Sequence, residues 1–260
     1  MSATPNAEYV ETLTPEWSAP PGVRAAFTLR SGGVSAPPFD SLNLGAHVGD
    51  EAEAVAENRR RLRTQLRLPE EPAWMEQVHG IDVLDLDALA HGAAARGVVT
   101  ADAALTRRTG RICTVQVADC LPVLLAARNG SAVAAAHAGW RGLAAGVLEA
   151  TVRTLAVEPG QLIGWLGPGI GPAHFEVGDE VRRAFLAHDA TASGAFVANG
   201  RGRWQCDLPA LARARLTGLG VTAVFGGKWC TYADPSRFYS FRRDGRSGRM
   251  AALIWRDQKP

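Results

Sequence analysis

The chain has 260 residues, of which 47% are hydrophobic and 21% are charged, a composition typical of a globular domain with a sizeable core. It has no apolar run of roughly 18 residues and no basic, apolar leader, so the sequence predicts no membrane-spanning helix and no secretory signal, and favours a cytoplasmic protein. The net charge of +2 provides no strong field for nucleic acid, so no nucleic-acid partner is expected.

The predicted elements begin with an extended lead-in at residues 1–20. In chain order they continue with a strand at 23–29, a turn-rich loop at 30–50, a helix at 51–67, strands at 81–84, 112–117, 122–127 and 132–136, a helix at 142–155, a strand at 162–166, helices at 177–188 and 208–219, and strands at 221–225 and 250–255. Because no repeat or linker interrupts them, residues 21–260 are predicted to form one α/β domain with mixed β-sheets flanked by helices.

The hairpin predicted around Asn129-Gly130 carries the strongest local evidence for a site. An Asn-Gly pair between two apolar runs is typical of a two-residue hairpin turn. The resulting register sets His137 opposite Pro122 and makes Cys120 its diagonal neighbour on the same face, at roughly 7–8 Å. A metal ion with bonds of roughly 2.0–2.3 Å could lie between the thiolate and the imidazole. A slip of one residue would place the two side chains on opposite faces.

A third protein ligand is needed, and spacing alone does not choose it. The candidates are His47, His79, His91, His174 and His188. Taken singly, a cysteine on a strand is usually a small buried apolar residue, and a histidine is usually a polar residue with its partners satisfied.

An anion site is predicted close to this metal site. The chain leaves the hairpin through His137-Ala138-Gly139-Trp140 and enters the predicted helix. Helix N-termini favour anions, and Arg141 adds a positive charge there.

Several motifs make a family resemblance specific. They are RSGGVS (30–35), SLNLGAHVGD (41–50), QVHG (77–80), VADCLPV (117–123), HAGWRG (137–142), GPGIGP (167–172), FEVG (175–178) and CTYADPSRFYSFRRDGRSGRMAALIW (230–255). In this order they resemble the laccase-domain, or YfiH-type, family, once described as multicopper polyphenol oxidases. Many relatives carry a cysteine shortly after the GPGIGP loop, where this chain has Ala173-His174, so the role of His174 stays open.

The resemblance implies a zinc site whose ligands are His79, Cys120 and His137. Three protein ligands leave a fourth position open, as in catalytic zinc sites. These three residues and Asp119 are the expected catalytic residues, Asp119 orienting a ligand or moving a proton. Arg30, Asn43 and Arg141 are the expected substrate and phosphate ligands.

The resemblance also implies a purine nucleoside phosphorylase that cleaves adenosine, inosine, guanosine and S-methyl-5'-thioadenosine with phosphate, and deaminates adenosine to inosine. The expected partners are therefore a small nucleoside and phosphate. The preferred substrate and the oligomeric state are left open.

Three other functions compete with this one. Cys120 and His137 could act as a nucleophile and base in an amidase that edits peptidoglycan precursors. A copper-dependent polyphenol oxidase is disfavoured because the chain has six histidines and no His-x-His pair, although copper could still bind a Cys/His site. A non-enzymatic binding module stabilised by zinc is the third alternative.

Overall fold

The computed structural model describes residues 9–90 and 99–257. Its strands are β1 (Thr12–Leu13), β2 (Val23–Thr28), β3 (Val83–Asp85), β4 (Ala103–Thr106), β5 (Ile112–Val117), β6 (Leu121–Ala127), β7 (Val133–Ala138), β8 (Leu162–Leu166), β9 (Glu176–Val177), β10 (Phe196–Ala198), β11 (Trp204–Cys206), β12 (Ala223–Gly226) and β13 (Met250–Arg256). Its α-helices are α1 (Ala52–Leu66), α2 (Trp140–Ala145), α3 (Val147–Leu155), α4 (Asp179–Leu186), α5 (Leu208–Gly218) and α6 (Phe241–Asp244).

The strands form three sheets. The order is β1-β2-β13-β5 in a four-stranded antiparallel sheet and β10-β11-β9 in a small antiparallel sheet. The six-stranded sheet has the order β12-β8-β6-β7-β4-β3, with parallel pairs at its two edges and antiparallel pairs between them. The predicted class, α/β with mixed sheets flanked by helices, is confirmed. β1 pairs with β2, so part of the predicted lead-in belongs to a sheet.

The core is built in layers. Side chains of β2, β5 and β13 pack against one face of β6, β7 and β8, so that the two larger sheets stack. The other face of the six-stranded sheet packs against α2, α3, α4 and α5. Leu62 of α1 packs with Leu253 and Trp255 of β13 on the outer face of the four-stranded sheet. Strands β6 and β7 are therefore buried on both faces, which is why their sequences are almost continuously apolar.

Most predicted elements are present, but the small sheet of β9, β10 and β11 and helix α6 were not predicted. Two further differences have a clear physical reason. The helix predicted at 142–155 is two helices, because Gly146 adopts a left-handed φ of 106° that ends α2 and precedes α3. Strand β4 was not predicted, because its four residues, AALT, include only one residue that favours strands. Among the helices that the structure describes, none is long and apolar enough to cross a bilayer.

Candidate metal centre

The hairpin forms with the register predicted from its turn. Gly130 has a φ of 72°, and its N–H donates to the Ala127 carbonyl at 2.8 Å, which closes the turn. Pro122 of β6 pairs with His137 of β7. Because Cys120 directly precedes β6 and lies two residues from Pro122, its side chain and that of His137 face the same side, between the two larger sheets.

Three potential ligands converge at the open end of this hairpin. The ligand atoms of His79, Cys120 and His137 all lie within 4.8 Å of one another. Nε2 of His79 is 3.6 Å from Sγ of Cys120. Zinc–nitrogen and zinc–sulfur bonds of about 2.0 and 2.3 Å meeting at a tetrahedral angle separate the two ligand atoms by about the same distance. The donor set and its spacing therefore fit one metal ion with three protein ligands.

The structure selects His79 among the histidines that the sequence left open. His47 lies near the cluster without belonging to it. Nδ1 of His174 is 3.5 Å from the sulfur of Cys230, so it contacts a different cysteine. His188 is exposed beyond the end of α4, and His91 lies outside the described residues. His79 reaches the hairpin because it occupies a tight loop, with a left-handed φ of 62°.

Asp102 holds this loop in place. The backbone N–H groups of Val78, His79 and Gly80 donate to its carboxylate at 3.2, 2.9 and 2.6 Å. Nδ1 of His137 donates to the same carboxylate at 2.8 Å. Consecutive N–H groups around an anion form a stable nest, which offsets the strained conformation of His79. Since Nδ1 of His137 is engaged, its Nε2 is left for a metal ion, the usual arrangement of a carboxylate behind a ligating histidine.

Asp102 was not identified as a functional residue from the sequence. It directly precedes the unpredicted strand β4, and its contacts reach residues 22 to 35 positions away. No local pattern signals such contacts. Burial raises the pKa of Asp102, but hydrogen bonds from His137, Gly80 and Val78 outweigh burial and hold the pKa below its usual value. The side chain is therefore a carboxylate that can accept all four hydrogen bonds.

The electrostatics of the cluster favour a thiolate. Burial alone raises the pKa of Cys120, but the charge of His137 and hydrogen bonds from His137 and His79 outweigh it and lower the pKa to about 6. Burial lowers the pKa of His137, whereas the charge of Cys120 and the hydrogen bond to Asp102 raise it to about 9. The thiolate is the form of cysteine that ligates metal ions, so Cys120 has the charge state that metal binding requires at neutral pH.

The cluster opens into a cavity of about 390 Å³, a size typical of small-molecule sites. Its apolar walls are Trp140, Ile170, Phe175 and Phe241. Three arginines also line it, namely Arg141, Arg242 and Arg249. One cavity therefore combines a metal-ligand cluster, aromatic surfaces and cationic groups.

Comparison with known proteins identifies the family. Residues 24–257 match the family model described as multi-copper polyphenol oxidoreductase laccase. The chain belongs to this family. It is 55% identical, over 94% of its length and 97% of the relative's, to a Pseudomonas aeruginosa protein named purine nucleoside phosphorylase PA4543. It is 52% identical to the Escherichia coli protein named purine nucleoside phosphorylase YfiH, over 94% of this chain and 98% of that one.

Solved structures of this laccase family share the fold. The Neisseria meningitidis protein NMB0706 superposes with a TM-score of 0.90 at 45% identity, covering 95% of this chain and 99% of that one. YlmD from Geobacillus stearothermophilus superposes with a TM-score of 0.83 at 30% identity, covering 95% and 100%. The resemblance seen in the motifs is thus confirmed over nearly the whole chain.

The other residues expected from the laccase-family resemblance, namely the catalytic Asp119 and the substrate ligands Arg30, Asn43 and Arg141, divide into two groups. Asp119 and Arg141 line the cavity. Arg30 lies elsewhere, in a separate depression, where its guanidinium donates to the carbonyls of Asp40 and Pro235. The structure therefore does not bring Arg30 into the cavity with the metal ligands.

Asn43 is fully buried outside the cavity wall. Its Nδ2 donates to Asp50 at 2.8 Å, and its Oδ1 accepts from the N–H groups of Gly45 and Arg249 at 2.9 and 2.8 Å. These contacts join the loop after β2 to the residue before β13. Asn43 therefore shapes the protein around the cavity, as a turn-stabilising asparagine does.

Asp119 connects separate parts of the cavity wall. It has a φ of 90°, unusual for a residue other than glycine. Its Oδ1 accepts from the Thr231 hydroxyl at 2.6 Å and its Oδ2 from the Arg242 N–H at 2.7 Å. Its backbone carbonyl accepts from Ile170. Both carboxylate oxygens are thus engaged in holding the walls together next to Cys120.

The three arginines of the cavity, Arg141, Arg242 and Arg249, form an arginine wall that adds two cationic side chains to the anion site predicted at the helix start. Helix α2 has only six residues and begins at Trp140, directly before Arg141. The sequence analysis did not select Arg242 and Arg249, although both lie in the arginine-rich stretch SFRRDGRSGRM (240–250) that belongs to a family motif.

Gly139 provides a test of how closely the cluster is packed. A Cβ at this position would lie 2.8 Å from Cδ2 of His79 and 2.9 Å from Sγ of Cys120. Gly139→Ala should displace both ligands and lower metal affinity by about tenfold to a hundredfold, measured by competition with a chromogenic chelator. Gly218→Ala, where a Cβ meets nothing within 4 Å, is the control. An unchanged affinity in Gly139→Ala would show that the cluster tolerates displacement of its side chains.

Proposed function

We propose that the chain is a zinc-dependent purine nucleoside phosphorylase that also deaminates adenosine. The observation that carries this proposal is the opening of the His79, Cys120 and His137 cluster into a cavity that three arginines line. The names of the 55% and 52% identical relatives support an enzyme acting on purine nucleosides and phosphate.

Zinc is the proposed metal because the donor set consists of one thiolate and two imidazoles. Zinc sites with three protein ligands of these types keep one position open and are typically catalytic. Bound there, zinc would supply a Lewis-acidic positive charge at the wall of the cavity. The remaining chemistry rests on the side chains around it.

In phosphorolysis, an oxygen of inorganic phosphate forms a bond to C1' of the ribose while the bond from C1' to the purine nitrogen breaks. The purine leaves with the bonding electrons and takes up at a ring nitrogen the proton that the attacking phosphate gives up, and ribose-1-phosphate remains. Arg141, Arg242 and Arg249 are proposed to bind the phosphate and offset its charge. The walls formed by Trp140, Phe175 and Phe241 are proposed to hold the base and ribose and to exclude water.

Arg141 is the arginine best placed to bind the free anion. Arg242 donates to the Glu176 carbonyl and Arg249 to the Ser247 and Gly248 carbonyls. The guanidinium of Arg141 instead stacks 4.4 Å over the Trp140 ring and makes no hydrogen bond within the described parts of the chain. Its donors are therefore available for phosphate. Asp119 is proposed to position the wall rather than to move a proton, since both of its oxygens already accept hydrogen bonds.

Arg141→Leu tests the phosphate role. Because a charge-assisted hydrogen bond contributes about 1.5–3 kcal/mol, the KM for phosphate should rise about tenfold to a hundredfold, with little change in the KM for inosine. The control is Arg153→Leu, which removes an exposed charge from α3 without touching the cavity. Equal KM values for phosphate in the wild type and Arg141→Leu would remove Arg141 from this role.

The activity itself is tested by incubating the purified protein with adenosine or inosine, with and without phosphate. The expected products are ribose-1-phosphate and the free base in the presence of phosphate, and inosine with ammonia from adenosine and water. Absence of both activities would contradict the proposal. Cleavage of an amide substrate without phosphate would instead support the amidase alternative at the same Cys120 and His137 pair.

A further inference from the structure

Gln116, the penultimate residue of β5, has a buried side-chain oxygen without a hydrogen-bond partner among the described residues. The residue is 5% exposed, and the oxygen is Oε1. It lines the metal cavity and also an adjoining cavity of about 480 Å³. Buried polar atoms are usually hydrogen-bonded, so an unpaired Oε1 on a residue that lines two cavities points to a ligand that pairs with it.

The backbone of Gln116 is fixed, which leaves only its side chain free to bind. Nε2 of Gln77 donates to the Gln116 carbonyl at 2.9 Å, and the Gln116 N–H donates to Oε1 of Gln77 at 2.7 Å. These two bonds engage both polar atoms of the Gln77 side chain. The backbone of Gln116 is therefore held in place at the cavity wall, as a recognition group needs.

We propose that the Gln116 carboxamide pairs with the 6-position edge of a purine bound in the metal cavity, and that a flip of this amide allows it to recognise both 6-amino and 6-oxo purines. This inference rests on the proposed function and names the residue that selects its substrates. The aromatic walls contributed by Trp140, Phe175 and Phe241 suit a flat heterocycle.

The carboxamide of Gln116 can form two hydrogen bonds with adenine in one orientation and with hypoxanthine in the other. Adenine presents an N6–H donor beside the N1 acceptor, which pair with Oε1 and Nε2 of the carboxamide. Hypoxanthine presents an N1–H donor beside the O6 acceptor, in the reverse order along the same edge, and a 180° rotation of the amide restores both bonds. A carboxamide has one acceptor and two donor hydrogens, so it serves both bases. A purine without a 6-substituent offers only the N1 acceptor.

Calorimetric titration of the full chain with adenosine, inosine and purine riboside tests this inference. Gln116→Met keeps the length of the side chain and removes the amide. Adenosine and inosine should bind the wild type more tightly than purine riboside does, and should lose roughly tenfold to a hundredfold in affinity in Gln116→Met. The three nucleosides should then bind the variant about equally.

Thr114→Val is the matched control. Thr114 lies on the same face of β5 and lines neither cavity, and its buried Oγ1 also has no hydrogen-bond partner within residues 9–90 and 99–257. Its replacement should leave all three affinities unchanged. Similar affinities for adenosine in the wild type and Gln116→Met would overturn the inference, as would absence of nucleoside binding to the wild type. Because phosphate is omitted, inosine and purine riboside bind without phosphorolysis, so failure of phosphorolysis alone contradicts only the proposed function.

Discussion

Replacing His79, Cys120 or His137 with alanine should each abolish nucleoside turnover and leave the purified protein with little bound metal. A catalytic metal ion contributes several kcal/mol of transition-state stabilisation, which corresponds to a loss on the order of a thousandfold in kcat/KM. Metal content is measured by mass spectrometry of the purified variants, and turnover by release of free base from inosine in the presence of phosphate.

The chain offers controls for both residue types. His47 lines the cavity but does not belong to the cluster. Cys113 is buried between the sheets and does not belong to the cluster either. His47→Ala and Cys113→Ala should keep their metal. Circular dichroism checks that the ligand variants still fold, since of these three side chains only Cys120 packs against an apolar layer. A ligand variant that retains both metal and turnover would exclude that residue from the centre.

Asp102→Asn should weaken the metal centre and the fold together. Four N–H groups point at the Asp102 carboxylate, two at each oxygen, from Val78 and Gly80 on one side and His79 and His137 on the other. Asparagine turns one of these oxygens into an NH₂ donor, so in either orientation two N–H groups lose their acceptor. Each buried unpaired donor costs about 1–3 kcal/mol, and loss of the group behind a ligating histidine costs about tenfold to a hundredfold in metal affinity.

Thermal denaturation and a chelator competition measure the two effects. Tm should fall by roughly 2–4 °C for each kcal/mol lost. Asp82→Asn is the control, because Asp82 is an exposed acid on the same loop. If Asp102→Asn bound metal as tightly as the wild type, the nest around Asp102 would have a structural role only.

The contrast between Cys120 and His79 shows what could be predicted from the residues alone. A local rule, the Asn129-Gly130 turn, sets the register of β6 and β7 and therefore places Cys120 beside His137. His79 is brought to them by a left-handed loop held by Asp102, which depends on contacts between distant segments. The choice of His79 as the third candidate ligand required the family motif QVHG (77–80). The hairpin was predictable from physical principles, whereas the third ligand was not.

The helices and the arginine wall also show which features could be predicted from the sequence alone and which could not. The apolar runs in the sequence predicted the first and last residues of β5 and β8 correctly, because these two strands are buried on both faces. The break at Gly146 was missed because glycine within an apolar pattern does not by itself end a helix. Arg242 and Arg249 reach the cavity from the segment that leads into β13, and their position depends on the hydrogen bonds of Asp119 and Asn43.

The place of β13 within its sheet has a consequence for biosynthesis. This strand lies between β2 and β5, although more than 130 residues separate it from either of them. The ribosome therefore releases both neighbours long before the strand that joins them exists, and such late, non-local pairing slows folding and exposes unpaired edges. Since Arg249 directly precedes β13, the nascent chain completes its arginine wall only once that last strand has inserted.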